Sequence, residues 1–251
     1  MTLRRPLVQP LARALRGPMR GLPSNGLSIQ PVAYWNLDEE SGTRADSIGS
    51  LDLTDNNGVG SGDGVGAGQT AAAFVAANSE YLSHVDDDVF RIGDRDWTMA
   101  MWVRPETLAT VQRVLGKGSL TVGADNEYDL FLNTNGSAAF RANNVAGNTL
   151  VSATTAAGAA VVDTWMLLFA GYDATTEEIF VRPNLGTEVR TARADGTHVN
   201  TYPLLLGARG GLYSTFRLAA GGIFPGLLTD NDRSYLYNGG TAARLAVGGV
   251  V

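Results

Sequence analysis

From Pro31 onward the chain runs as short apolar segments, each ended by residues that favour turns. That punctuation predicts strands. "PVAYWNL" at 31–37 is the first, and "TMAMWV" at 98–103 is rich in strand formers and stops at Pro105. "EYDLFLN" (127–133) and "SAAFRAN" (137–143) flank Thr134-Asn135-Gly136. Asn-Gly tolerates the positive φ of a tight turn, so this is a hairpin. "TWMLLFAGYD" (164–173) and "EEIFVRPN" (177–184) pair around Ala174-Thr175-Thr176, and "GTEVRTAR" follows the turn at Asn184-Leu185-Gly186. Strands joined by tight turns are antiparallel, and their number predicts two sheets packed face to face. One helix is marked near 229–238: Thr229 with Asp232 three residues on makes a capping box, and Gly239-Gly240 ends it.

Two segments stand outside this pattern. The tract "NGVGSGDGVGAG" (57–68) has glycines only at even positions, which denies it the odd-offset glycine of a dinucleotide loop. The only lysine is Lys117, so no Walker lysine follows it either. It reads as a flexible surface loop between strands. The opening, "MTLRRPLVQPLARALRGPMRGLP", holds five arginines and four prolines and no acid. Pro6, Pro10 and Pro18 break any long helix, and Arg13 and Arg16 interrupt the apolar stretch that a secretory signal needs. The chain thus divides into a basic arm and linker, 1–30, and a β domain, 31–251.

Charge sharpens that division. The net charge is −6, yet the first 25 residues carry +5, which leaves −11 on the rest. So acidic a body excludes nucleic acid as a partner, because phosphate neutralisation needs clustered Lys and Arg. Without cysteine there is no disulfide, thiolate nucleophile or thiolate metal site. The longest apolar runs, such as "WMLLFAGY" at 165–172, fall well short of a membrane span. Arg outnumbers Lys 18 to 1, as in proteins of GC-rich bacterial or phage genomes.

"VAYWNLDEESGTRADSIGS" (32–50), "AAFVAANSEYLS" (72–83), "DWTMAMWVRPE" (96–106) and "FRLAAGGIFPGLLTDNDRSYLYNGG" (216–240) occur in the order found in laminin-G-like, concanavalin A-like jelly-roll domains. The resemblance spans roughly 32–240 and is nearest to the modules of phage virion proteins and bacterial surface proteins. It implies an all-β, two-sheet antiparallel jelly-roll sandwich of about a dozen strands. It also implies binding of glycan or protein, in some members with a calcium ion. Trp35, Trp97, Trp102 and Trp165 are read as core fillers. Family members commonly carry an acidic pair where this chain has Ala219-Ala220, and if that pair supports calcium, half the support is missing. The nearest remaining metal candidates are Asp38 and Asp46, with Glu39 in the same loop. Calcium is therefore expected to be absent or dispensable, and no other cofactor is implied.

Catalysis is weighed against the glucanases of the same sandwich, which space carboxylates E-x-D-x-E or E-x-D-x-x-E on one strand. Glu127-Tyr128-Asp129 supplies the first half and puts both carboxylates on one face. Phe131 and Leu132 stand where the third would be, so the pair is read as two solvated carboxylates with no acid/nucleophile partner. His84 and His198, the only histidines, are both read as surface turns, and Asp86-Asp87-Asp88 as a solvated loop.

These readings give a non-enzymatic phage virion structural protein: a capsid decoration, fibre base or adhesion module. Leu3, Leu7, Leu11 and Leu15, with Arg4, Arg5, Arg13, Arg16 and Arg20, would anchor the arm to a capsid or tail protein. The sandwich would face outward, in many copies or as a homo-oligomer, open to cell-surface glycan. The alternative is a secreted or surface bacterial lectin module, and a glycoside hydrolase ranks third.

Overall fold

The computed structural model describes residues 26–119, 125–246 and 249–250. In chain order its strands are β1 (Ala33–Trp35), β2 (Thr54–Asn56), β3 (Gly60–Asp63), β4 (Thr70–Phe74), β5 (Tyr81–His84) and β6 (Trp97–Pro105). Then come β7 (Gln112–Gly118), β8 (Asn126–Leu132), β9 (Ala138–Asn143), β10 (Leu150–Thr154), β11 (Met166–Asp173), β12 (Glu178–Pro183) and β13 (Val189–Ala192). The last are β14 (Leu204–Leu206), β15 (Ala208–Arg209), β16 (Leu212–Tyr213), β17 (Phe216–Phe224), β18 (Leu245–Ala246) and β19 (Gly249–Val250). Helix α1 (Asp230–Tyr237) lies between β17 and β18.

The strands form the expected antiparallel sandwich. Sheet I runs β13-β12-β11-β6-β17-β4-β3 with β1 also on β17, and sheet II runs β10-β9-β8-β7-β14-β5-β2. The turns act where expected. Gly136, at a φ of 78°, closes the β8–β9 hairpin through its N–H to the Asn133 carbonyl, and Asn184, at 51°, opens the turn from β12 to β13. Strand β17 organises sheet I. It pairs with β6 along its length, while its other edge meets β4 at Phe216–Leu218 and β1 at Gly221–Ile223. Gly222 permits that crossing, since a Cβ there would lie 2.4 Å from the Ala33 carbonyl oxygen.

Two apolar cores result. The larger fills the space between the sheets and includes Trp35 and Trp97. The smaller lies on the outer face of sheet I, where α1 and the segment after it cover Trp102, Phe169 and Phe224. Trp102 stacks on Tyr237 there, and half-buried Trp165 packs against the same cluster.

Two expectations change. The tract 57–68 is only partly a loop: Gly60–Asp63 forms edge strand β3, paired with β4 from Gly60↔Ala73 to Asp63↔Thr70. Glycine offers no side chain to such a strand, so the signal of a strand was absent while its backbone bonds were available. The folded unit also begins before Pro31. Leu27 is buried in the outer core, and Ser28 donates from both N and Oγ to Asp232, each at 2.6 Å.

Asp232 therefore ties the domain's first residues to its helix. It is the N3 residue of the capping box and accepts from Thr229 N (2.9 Å) and Thr229 Oγ1 (2.6 Å) as well. Burial pushes its carboxyl up, but the hydrogen bonds from Ser28 and Thr229 outweigh that and hold it below the usual carboxylate range. Replacing Asp232 by Ala should cost about 2–3 kcal/mol, as for hydrogen bonds to a charged group. Thr229→Ala should cost about 1 kcal/mol, as for a lost helix cap. Because the folded-state pKa is depressed, the Asp232 contribution is complete above the unfolded value of about 3.9 and is lost as pH falls through the folded value. Urea unfolding of wild type and Asp232→Ala should converge at low pH; a gap independent of pH would contradict this role.

Candidate functional site on the outer face of sheet II

Strand β8 alternates, so Tyr128, Leu130 and Leu132 enter the inter-sheet core while Asp129 and Phe131 face outward. The hairpin register sets Arg141 of β9 opposite Asp129, and β7 sets Arg113 opposite Phe131 and Gly116 opposite Asp129. Arg113 Nη1 (2.7 Å) and Arg141 Nη2 (2.8 Å) both donate to Asp129 Oδ2. Arg209, from the β15–β16 hairpin, places Nη1 3.3 Å from Asp129 Oδ1 and donates to the Tyr128 carbonyl at 2.7 Å. Gly116 leaves room for this, since a Cβ there would come within 3.1 Å of both Arg209 Nη1 and Asp129 Oδ1. The Arg113 and Arg141 guanidiniums also lie 5.0 and 5.1 Å from the centre of the Phe131 ring. Burial pushes the Arg209 guanidinium down from its ordinary value, against the pull of Asp129.

Glu127 does not share this site. The β7–β8 ladder shifts between Lys117 and Gly118, so Glu127 is the extra residue of a β-bulge. Its Oε2 accepts from Lys117 Nζ at 3.0 Å and its Oε1 from Ile92 N at 3.0 Å. Lys117 also pairs with Asp86 at 2.9 Å. The register partners of Lys117 are Tyr128 and Leu204, both core residues, which sets this cluster at the end of the inter-sheet space. Burial pushes the Glu127 carboxyl up, opposed first by Lys117.

The expectation of two solvated carboxylates on one face is therefore corrected. Both are fully buried, each has its own cations, and the bulge separates them. Neither is left as a free acid or nucleophile. Beside the Asp129 cluster opens a cleft of about 470 Å³, lined by Arg113, Thr110, Val111, Leu212 and Tyr213 among others. Tyr213 is backed by Tyr81, their rings 6.1 Å apart.

The other expected residues have local roles. Asp46 accepts from the N–H groups of Tyr34 (3.0 Å), Ile48 (3.2 Å) and Leu51 (3.1 Å), and Asp38 pairs with Arg244. Glu39 accepts from Ala45 N at 2.7 Å. Carboxylates held by N–H donors and a guanidinium do not fit a hard cation that wants six to eight oxygens. Among the described residues no three His, Cys, Asp or Glu side chains gather as a metal site. Ala219 and Ala220 lie at a bulge of β17 within the outer core, a place without oxygen ligands. His84 sits on β5 against the edge of Phe90, not in a turn, and His198 Nδ1 lies 3.1 Å from the Val145 carbonyl. Asp86 and Asp88 pair with Arg91, and Asp87 caps a short 3₁₀ turn, so the triple acid is not merely solvated. The arm residues Leu3, Arg4, Arg5, Leu7, Leu11, Arg13, Leu15, Arg16 and Arg20 lie outside the described residues.

Arg113, Arg141, Arg209 and Tyr213 carry no signal in the sequence alone, and Phe131 stands out there only as a position without a carboxylate. Arg141 becomes legible once the hairpin is laid out: counting outward from Asn135 puts it opposite Asp129. Arg113 and Arg209 depend on a bulge and a distant hairpin, which leave no local pattern.

The family model of the concanavalin A-like lectin/glucanases superfamily matches residues 76–231. No curated protein matches the chain in sequence. Among solved structures, domain 4 of AbnA, an extracellular arabinanase of Geobacillus stearothermophilus in complex with arabinotriose, aligns with a TM-score of 0.59 at 14 % identity, over 82 % of this chain and 97 % of that one. The binding domain of Paraclostridial Mosquitocidal Protein 1 aligns at 0.63 and 12 % identity, over 83 % of this chain and 52 % of that one. The botulinum neurotoxin serotype D ligand-binding domain in complex with N-acetylneuraminic acid aligns at 0.62 and 7 %, over 84 % and 52 %. The chain thus spans about half the length of these toxin domains, and at such identities the likeness is one of fold.

The ion pairs make an asymmetric prediction. Lys117→Met strips the shared cation from Glu127 and Asp86 and should cost about 3–5 kcal/mol, as when one partner of a buried pair is removed. Glu127→Gln leaves Lys117 its Asp86 partner and should cost on the order of 1 kcal/mol. A carboxyl with a raised folded-state pKa is protonated more readily when folded, so Glu127 lowers stability as pH rises from the ordinary glutamate range to that folded value. Glu127→Gln should remove that part of the slope in urea midpoints measured from pH 4 to 7. Equal losses for both variants would contradict the assignment.

Proposed function

The chain belongs to the concanavalin A-like lectin/glucanase superfamily, and on that premise we propose that it is a glycan-binding module without hydrolase activity. The observation that carries the reading is the cleft beside β7, lined by both Tyr213 and Arg113. Its volume of about 470 Å³ falls in the range of ligand sites. A tyrosine ring offers a face to sugar C–H groups, while Arg113 and Thr110 offer donors to hydroxyls. Retaining hydrolysis needs two free carboxyl groups about 5–5.5 Å apart, and inverting hydrolysis needs two about 6.5–9.5 Å apart with water between. Glu127 and Asp129 are both consumed by cations, which speaks for binding over cleavage. AbnA domain 4, matched over nearly its whole length, is described in complex with arabinotriose, which supports an oligosaccharide as the ligand class.

We further propose that this module is carried on a phage virion, anchored by the arm to a capsid or tail protein and present in many copies. The support is compositional. Leu3, Leu7, Leu11 and Leu15 recur every four residues among five arginines, and such a segment offers leucine anchors and guanidinium donors to an acidic partner. A secreted or surface lectin is the second reading, favoured by the extracellular enzyme to which domain 4 of AbnA belongs.

Three outcomes are expected. Oligosaccharide arrays should give binding that Tyr213→Ala weakens up to about tenfold, the scale of one aromatic contact. Reducing-sugar assays on the bound glycans should show no release. Deleting residues 1–25 should leave glycan binding intact but abolish attachment to purified particles. Wild-type occupancy by the truncated protein would contradict the virion reading, and turnover lost in Glu127→Gln would contradict the non-catalytic one.

A further inference from the structure

We propose that the glycan taken by this cleft is acidic, and that Arg113 and Arg141 form the subsite for its anionic group. The inference rests on the glycan-binding reading and deepens it. Three guanidiniums converge on Asp129, and no other carboxylate among the described residues lies within ion-pair distance of them. One negative charge therefore faces three positive ones, on a chain whose net charge is −6. The excess is local.

Part of that charge reaches the surface. The Nε atoms of Arg113, Arg141 and Arg209, and Asp129 Oδ1 beside them, are buried without a hydrogen-bond partner, so the cluster does not satisfy itself completely. Asp129 and Arg209 are wholly buried, whereas the side chains of Arg113 and Arg141 remain 12 % and 22 % exposed. Those two flank Phe131, which holds both guanidiniums against its ring. Arg113 lines the cleft itself. A sugar seated against Tyr213 would thus bring a carboxylate or sulfate to Arg113 first, with Arg141 beyond Phe131. A planar guanidinium pairs with such groups through two parallel hydrogen bonds, which fixes orientation as well as charge. A neutral sugar would leave the excess charge unanswered.

The test compares trigalacturonate, its methyl ester, neutral arabinotriose and a sulfated glucan trisaccharide by calorimetry on the full chain. The acid should bind at least about tenfold more tightly than its ester, as one charge-assisted contact provides, and the advantage should shrink with added salt. Binding of the sulfated sugar in place of the uronate, with the same arginine dependence, would assign the anion as sulfate and still support the subsite. Arg113→Gln and Arg141→Gln should each erase most of the preference. Arg141→Gln, on the more exposed of the two, keeps the test usable if Arg113→Gln fails to fold. Asp129→Asn should do the opposite: lower stability in plain buffer, tighten acidic-sugar binding, and recover stability when the acid is added. A merely structural role for Asp129 would give the loss without the tightening. Equal affinity for acid and ester, or a preference that survives both arginine variants, would overturn the proposal. Neutral arabinotriose binding alone would overturn it and leave the glycan reading standing, while no binding by any sugar would overturn both.

Discussion

A carboxylate on the outer face of a sheet, fully desolvated, is the constraint from which much of this site follows. Asp129 has no exposure, and an ion so placed is tolerated only when charge and hydrogen bonds surround it. It draws one arginine from β7, one from β9 and one from the β15–β16 hairpin. The hairpin is thereby fixed over sheet II, and Tyr213 with it, which forms the cleft. Gly116 is the small residue that lets the third guanidinium in.

The two outer faces of the sandwich are treated differently. That of sheet I is closed by α1 and the chain after it, with apolar side chains packed beneath and Asp232 pinning the entry of the domain. That of sheet II is closed only in part, and by charged groups. An apolar lid excludes water for stability, whereas the guanidiniums around Phe131 leave positive charge partly exposed. On the proposed reading, the face of sheet I is structural and that of sheet II is the one that binds.

How far the sequence alone reached follows from the range of the interactions. Hairpins such as β8–β9 and β11–β12 were legible because Asn135-Gly136 and Ala174-Thr175-Thr176 act within a few residues. The helix was legible because Thr229 and Asp232 form a local capping box. Strand β3 was hidden, since glycines carry no alternation. The pairing of Glu127 with Asp129 was misjudged for a non-local reason: a bulge against β7 turned Glu127 toward Lys117, and no pattern within β8 announces it. Phe131 was noticed only as a missing carboxylate. Its role as the ring between Arg113 and Arg141 required the register of three strands.

Amide and guanidinium chemical-shift mapping during titration with trigalacturonate would decide whether the outer face of sheet II binds a glycan and leaves it intact, as proposed. Perturbations should centre on Arg113, Phe131, Arg141 and Leu212–Tyr213, with the sugar's anomeric signals unchanged after prolonged incubation. Perturbations centred elsewhere, or the appearance of new reducing-end signals, would contradict that proposal.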